Sequence, residues 1–223
     1  MRIPISKHGY PQILAITLIC GVLALVANFF YFKDSPWPWF IAWLIVFIGA
    51  AFFRDFERVI PQGDNLLVSP ADGTVTDIGV VDESEFFEGK AVRIGIFLSV
   101  LSVHVNRVPC KGIVKFIKEK PGLCLNAMGS EKASQYNQST SLGLDCPAHP
   151  AIKVMIKQIT GAIARRIVCA SAEGIRYNAG DRYGMIKFGS RTELFLPVND
   201  KATIKIKVGD KVTGGATILV EYI

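Results

Sequence analysis

Two long apolar runs lead the chain, and a shorter-period alternation follows them. From Pro11 to Phe32 the sequence PQILAITLICGVLALVANFFYF carries no charge, and a second uncharged run, PWPWFIAWLIVFIGAAFF, fills Pro36 to Phe53. At 1.5 Å per helical residue each crosses, or nearly crosses, a hydrocarbon layer about 30 Å thick. Only Lys33-Asp34-Ser35 separates them, so a tight hairpin is predicted, with both ends on one side of a membrane. A signal peptide is the poorer account, since its apolar core would be about 7 to 15 residues long. A hairpin buried inside a soluble fold is the other alternative.

Beyond Arg58 the pattern becomes period-two alternation broken by Gly, Pro and Asp, which predicts a mainly β body. Ile152, Val154 and Ile156 alternate with Lys153, Met155 and Lys157, and Ile204, Ile206 and Val208 alternate with Lys205 and Lys207. Each set gives one buried and one wet face. Ala164 to Ala170 reads as a short helix, and Gly122 to His149, polar and without period, as a long excursion from the sheet. SPADGTVTDI and IKVGDKVTGGATIL resemble the paired hairpins of lipoyl or biotinyl-type folds. The predicted architecture is a lipoyl/biotinyl-hybrid-like β-sandwich or barrel, residues 54–223, behind a membrane anchor, residues 1–53, with helices at 11–32 and 36–53.

Charge orients the anchor. Arg2 and Lys7 precede it and Arg54 and Arg58 follow it, which places both ends, and the body, in the cytoplasm. Trp37, Trp39 and Trp43 cluster near the opposite end, where an aromatic belt lies. The formal net charge of +6 falls mainly on the body, which suits an anionic lipid surface. Nucleic acid is not the expected partner, because no basic helix or aromatic-interleaved basic stripe is present. Cys20, Cys110, Cys124, Cys146 and Cys169 are odd in number and lack any C-x-x-C pair, so free thiols are expected and no metal site.

The chemistry concentrates in Arg182 to Pro197, RYGMIKFGSRTELFLP. A Gly-Ser pair alone is usually a turn, and Gly129-Ser130 is another in this chain. Gly189-Ser190 differs in lying between two strand-like runs, where a forced turn can hold a serine hydroxyl against the preceding carbonyl. Attack of the Ser190 hydroxyl on the Gly189 carbonyl, an N-to-O shift, β-elimination and loss of ammonia would leave a pyruvoyl group. Glycine leaves that carbonyl unshielded, and the attack needs a base. His104 is the best candidate, since His8 precedes the anchor and His149 lies in CPAHP. Alternation puts His104 on one face with Ser102 and Asn106, opposite Val103 and Val105; a solvent-facing strand histidine would look the same. Asp72, in SPADG, reads either as an acid orienting His104 or as a turn aspartate capping its own backbone.

FFRDFERVIP, LLVSPADGTV, IFLSVLSVHVNRVPCKG, GAIARRIV and RYGMIKFGSRTELFLP together resemble the pyruvoyl-dependent phosphatidylserine decarboxylases, in their short bacterial and archaeal form. The resemblance runs from about Phe52 to the C-terminus. It implies a proenzyme cut between Gly189 and Ser190 into a β chain, 1–189, and an α chain, 190–223, which stay associated. The covalent pyruvoyl group from Ser190 would form a Schiff base with phosphatidylserine and yield phosphatidylethanolamine, with Asp72 and His104 assisting and no metal. A homo-oligomer is compatible with it. Long members carry a second histidine three residues after the first, where this chain has Arg107, so His104 would serve both steps. YNQST near Asn137 replaces an NER-like run, which leaves the headgroup contacts open. Rival readings are a non-catalytic lipoyl-like membrane adaptor, a decarboxylase of a soluble amino acid, and one acting on a related lipid such as archaetidylserine.

Overall fold

The computed structural model describes residues 4–33, 35–127, 131–147, 152–162, 166–187, 190–199 and 201–223. The chain divides into two compact units, Met1–Glu57 and Arg58–Ile223.

In the first unit α1 (Tyr10–Ala27) continues through a π-helical turn, Asn28–Phe32, and α2 (Trp37–Phe52) follows. Pro11 and Pro38 sit in the first turns, where a missing N–H breaks no helical bond. The helices meet at Gly49, where Ile16 Cδ1 lies 3.3 Å from the place a Cβ would take. Leu14, Leu18, Val22, Phe29 and Phe47 point away and are more than half exposed. The helical stretch Lys7–Phe32 has 26 residues, about 39 Å of rise. Among the described residues it alone is long and apolar enough to cross a membrane. The second predicted span is helical as expected, but its 16 residues rise only about 24 Å.

The second unit is β. Its strands are β1 (Leu66–Val68), β2 (Gly73–Glu83), β3 (Gly89–Leu98), β4 (Val105–Arg107), β5 (Gly112–Lys120), β6 (Ser139–Cys146), β7 (Ile152–Ile159), β8 (Arg166–Cys169), β9 (Arg176–Tyr177), β10 (Arg182–Lys187), β11 (Ser190–Pro197), β12 (Ala202–Ile204), β13 (Lys211–Val212) and β14 (Ile218–Tyr222), with one short helix, α3 (Glu131–Tyr136). An eight-stranded antiparallel sheet runs β13-β2-β3-β11-β7-β6-β5-β9, beside three-stranded sheets β1-β14-β12 and β4-β10-β8. Alternation places Ile94, Ile96, Leu98, Leu194 and Leu196 on one face of the large sheet, packed with Leu67, Tyr183 and Val220 from the smaller sheets. That shared core holds the three sheets together, at roughly 25 cal/mol per Å² of apolar surface removed from water. The two similar sequence motifs pair with one another: Lys211 and Val212 lie opposite Thr74 and Gly73.

Several expectations are corrected. The excursion after Gly122 contains β6, an interior strand of the large sheet. Its Ser139, Thr140 and Ser141 are buried, so polar residues at interior positions erased the period. The predicted helix at 164–170 is instead β8 from Arg166, where β-branched Ile167 and Val168 pair with Ile186 and Met185; residues 164 and 165 lie outside the described residues. The strand expected through Val208 ends at Ile204 and turns at Gly209, whose φ of +95° favours glycine. The face of β7 expected to be wet is partly covered, because Met155 packs with Phe195 and Phe86. Cys110 and Cys146 are not free thiols but are paired as a disulfide, with Cα atoms 6.8 Å apart. The pairing of Ile113 with Asp145 brings them together, and a spacing of 36 residues gives no hint of it.

Asn137, left open above as a headgroup contact, is structural. It is fully buried, accepts from Leu125 N and donates to the carbonyls of Leu125 (2.8 Å) and Thr160 (2.7 Å). Asn137→Ala strands these backbone groups in the interior, and should lower unfolding stability in detergent by about 3 kcal/mol. A variant unfolding like wild type would show that water replaces the amide.

Candidate functional site

Ser190 opens β11, which lies between β3 and β7 in the large sheet. Two residues, 188 and 189, separate it from the end of β10 in another sheet. The chain therefore changes sheets at the predicted junction; Gly189 itself lies outside the described residues. Ser190 is opposite Leu98 at the end of β3. It is fully buried, and its hydroxyl has no hydrogen-bond partner among the described residues. A buried hydroxyl left unbonded costs about 1–3 kcal/mol. Such a group calls for an explanation, as do the buried hydroxyls of Ser171, Tyr183 and Tyr222.

His104 immediately precedes β4, and its carbonyl accepts from Ile186 N (3.2 Å), four residues before Ser190. The face it shares with Asn106 is polar, as expected, but not wet: both side chains are fully buried. The face is the seam between two sheets. Asn106 Nδ2 donates to Thr192 Oγ1 across it (3.0 Å), and Gln158 Nε2 donates to Asn106 Oδ1 (2.8 Å). Two residues back along each strand, on the same faces, stand His104 and Ser190. Asn106 and Gln158 thus set the register that carries His104 to the Ser190 end of the seam. His104 Nδ1 lies 2.8 Å from the Ser102 carbonyl. A carbonyl only accepts, so Nδ1 carries the hydrogen, and in the neutral form of the ring the lone pair is on Nε2.

Asp72 reaches the same end of the sheet from the other side of β3. It directly precedes β2, whose Thr74 is opposite Phe97. The sequence left it as orienting acid or turn cap, and the structure separates the two readings. Asp72 Oδ1 accepts from Gly214 N (2.7 Å) and Oδ2 from Arg58 Nη2 (2.8 Å), while His104 Nδ1 is taken by Ser102. The orienting bond of a Ser-His-Asp arrangement is therefore not made. Asp72 caps a backbone, but that of Gly214 at the far end of the sequence rather than its own. Burial pushes its carboxyl above the usual aspartate range, opposed by the Gly214 bond and by Arg58 and Arg107.

Arg58, read from sequence only as a flanking positive charge, is thus part of this cluster. Arg107 is buried, donates to the Gly180 carbonyl (2.9 Å) and lies within the field of Asp72. A guanidinium does not lose its proton in the working pH range, so it holds charge here without moving protons. No local pattern singled out Arg58, Gln158 or Thr192.

The other face of β11 carries a separate polar network. Arg191 donates to Glu193 Oε1 (2.8 Å), Thr76 Oγ1 (2.7 Å) and Asp77 Oδ2 (2.5 Å). A Cβ at Gly95 would overlap its guanidinium, so only glycine admits it. Despite a burial cost, bonds from Arg191 and Thr76 hold Asp77 below the usual carboxylate range. A polar cavity of about 510 Å³ opens here, lined by Arg93, Lys157 and Glu193. Strand alternation sets it on the opposite face of β11 from Ser190.

The family model for phosphatidylserine decarboxylase matches residues 47–220. A phosphatidylserine decarboxylase proenzyme of Rhodopirellula baltica is 39% identical over 221 residues, covering 99% of this chain and 89% of the relative. One of Carboxydothermus hydrogenoformans is 38% identical over 215 residues, covering 96% and 94%.

Proposed function

Because the chain belongs to the phosphatidylserine decarboxylase family, we propose that it converts phosphatidylserine to phosphatidylethanolamine after cutting itself between Gly189 and Ser190. The observation that carries this reading is the buried hydroxyl of Ser190, without a hydrogen-bond partner among the described residues, at a change of sheet; His104 and Asp72 are proposed to act there with it.

In the self-cleavage step Ser190 Oγ attacks the carbonyl carbon of residue 189, and the peptide C–N bond breaks as the ester forms. His104, through the Nε2 lone pair, takes the hydroxyl proton. Elimination of the ester and hydrolysis, with loss of ammonia, complete the change. The pyruvoyl group so made supplies a ketone to capture the substrate amine and an electron sink for decarboxylation. The chain's own share is then to hold that group in a seam shielded from water. His104 returns a proton to the carbon that lost carbon dioxide, while Asp72 and its arginines fix the charge beside the site.

The apolar helices suit a lipid substrate, since a two-chain lipid rarely leaves its bilayer. They are proposed to anchor the body on the cytoplasmic face, following the flanking positive charges.

Intact-mass analysis of the purified protein tests the proposal. Two polypeptides are expected, 1–189 and 190–223, the smaller lighter by one ammonia than a peptide beginning with free serine. A single uncut chain that turns over phosphatidylserine would overturn it.

A further inference from the structure

Strand register defines one edge of the body. Lys120, Ser139, Ile159, Arg191 and Phe97 stand in a row across the large sheet, and Ser190, His104 and Asp72 lie just beyond that row or beside its end. The connections leaving this edge are unusually apolar at the surface. Directly after Leu98, a tight turn closed by Ser102 N to Ser99 O (2.9 Å) puts Val100 and Leu101 at its tip, 46% and 82% exposed. Such tips normally carry Gly, Asn, Asp or Pro. Leu123 and Leu125, 57% and 38% exposed, are fixed on the same edge, because Thr160, next after β7, donates to the Leu123 carbonyl (3.2 Å) and Asn137 bonds Leu125.

Two exposed basic residues lie toward this end of the body. Lys120 ends β5, and Arg166 is opposite Lys187, three residues before Ser190; Glu119 is the exposed acid beside them. Apolar tips with cations toward the same end suit a bilayer with anionic headgroups, where side chains sink below the charges.

Resting on the proposed lipid substrate, we propose that this edge docks into the bilayer, with Val100 and Leu101 as its insertion tip, so that the Ser190 end of the seam opens onto lipid. The turn leads directly to His104, so docking holds the catalytic edge at the headgroup level.

The test uses the full chain in nanodiscs, comparing V100D/L101D with wild type on bilayer phosphatidylserine and on a monomeric short-chain phosphatidylserine. Turnover of the bilayer lipid should fall about tenfold or more, with the short-chain rate within about twofold and self-cleavage unchanged. Equal losses on both substrates, or no loss on the bilayer, overturn the docking. Hydrogen exchange over residues 99–103 provides a reading independent of turnover: slower exchange is expected in anionic than in zwitterionic nanodiscs, and equal exchange counts against docking. Wild-type protein inactive on both lipids would instead refute the proposed reaction.

Discussion

Ser190→Ala leaves one uncut chain of about 24.4 kDa and lowers decarboxylation by about 10⁴-fold or more, because one residue supplies first the nucleophile, through its hydroxyl oxygen, and then the electrophile, through its α-carbon. The substitution removes only an oxygen from a fully buried side chain that makes no hydrogen bond among the described residues. The folded proenzyme should therefore lose no stability, and should gain about 1 kcal/mol from relief of an unsatisfied buried group. Loss of activity together with a raised melting temperature separates a chemical role from a structural one. Gel electrophoresis, carbon dioxide release and thermal unfolding in detergent measure the three quantities. Cleavage persisting in this variant would place the junction elsewhere. A marked fall in melting temperature would mean that Ser190 Oγ holds the fold.

The legible parts of the sequence were those where side-chain period and burial agree. Both apolar helices and the mainly β body followed from run length and alternation, and β3 and β11 follow them closely: Ile94, Ile96, Leu194 and Leu196 are all buried. What stayed hidden was buried polarity. Ser139 to Ser141 in β6 and Asn137 before it look like loop residues until neighbouring strands satisfy them. The same limit applied to the site. Ser190 could be named from its strand-flanked setting and the resemblance of its motif, and His104 because histidines are few, but Asn106–Thr192 and Asp72–Gly214 join residues 86 and 142 positions apart. Those contacts are set by sheet order, which no local window contains. The sequence also left a solvent-facing strand histidine open at His104, because it cannot distinguish water from the seam of another sheet.

Replacing His104 tests the remaining division of labour. With Arg107 fixed as a cation on the Gly180 carbonyl and Asp72 committed to Gly214 and Arg58, His104 is the side chain to which the proposal gives the proton transfers. His104→Ala should then slow both steps, self-cleavage because Ser190 loses its base, and turnover of whatever does cleave because the carbon left by carbon dioxide lacks an acid. Removing a general acid–base typically costs about 10² to 10⁴-fold. The cleaved fraction followed over days, and carbon dioxide release per cleaved chain, separate the two effects. If one histidine serves both, both fall together. If turnover falls while cleavage keeps its rate, the base for self-cleavage lies elsewhere, and the carboxyl of Asp72, already shifted upward by burial, becomes the group to replace next. Unchanged rates in both would remove His104 from the reaction and reduce its Ser102 bond to a local turn contact.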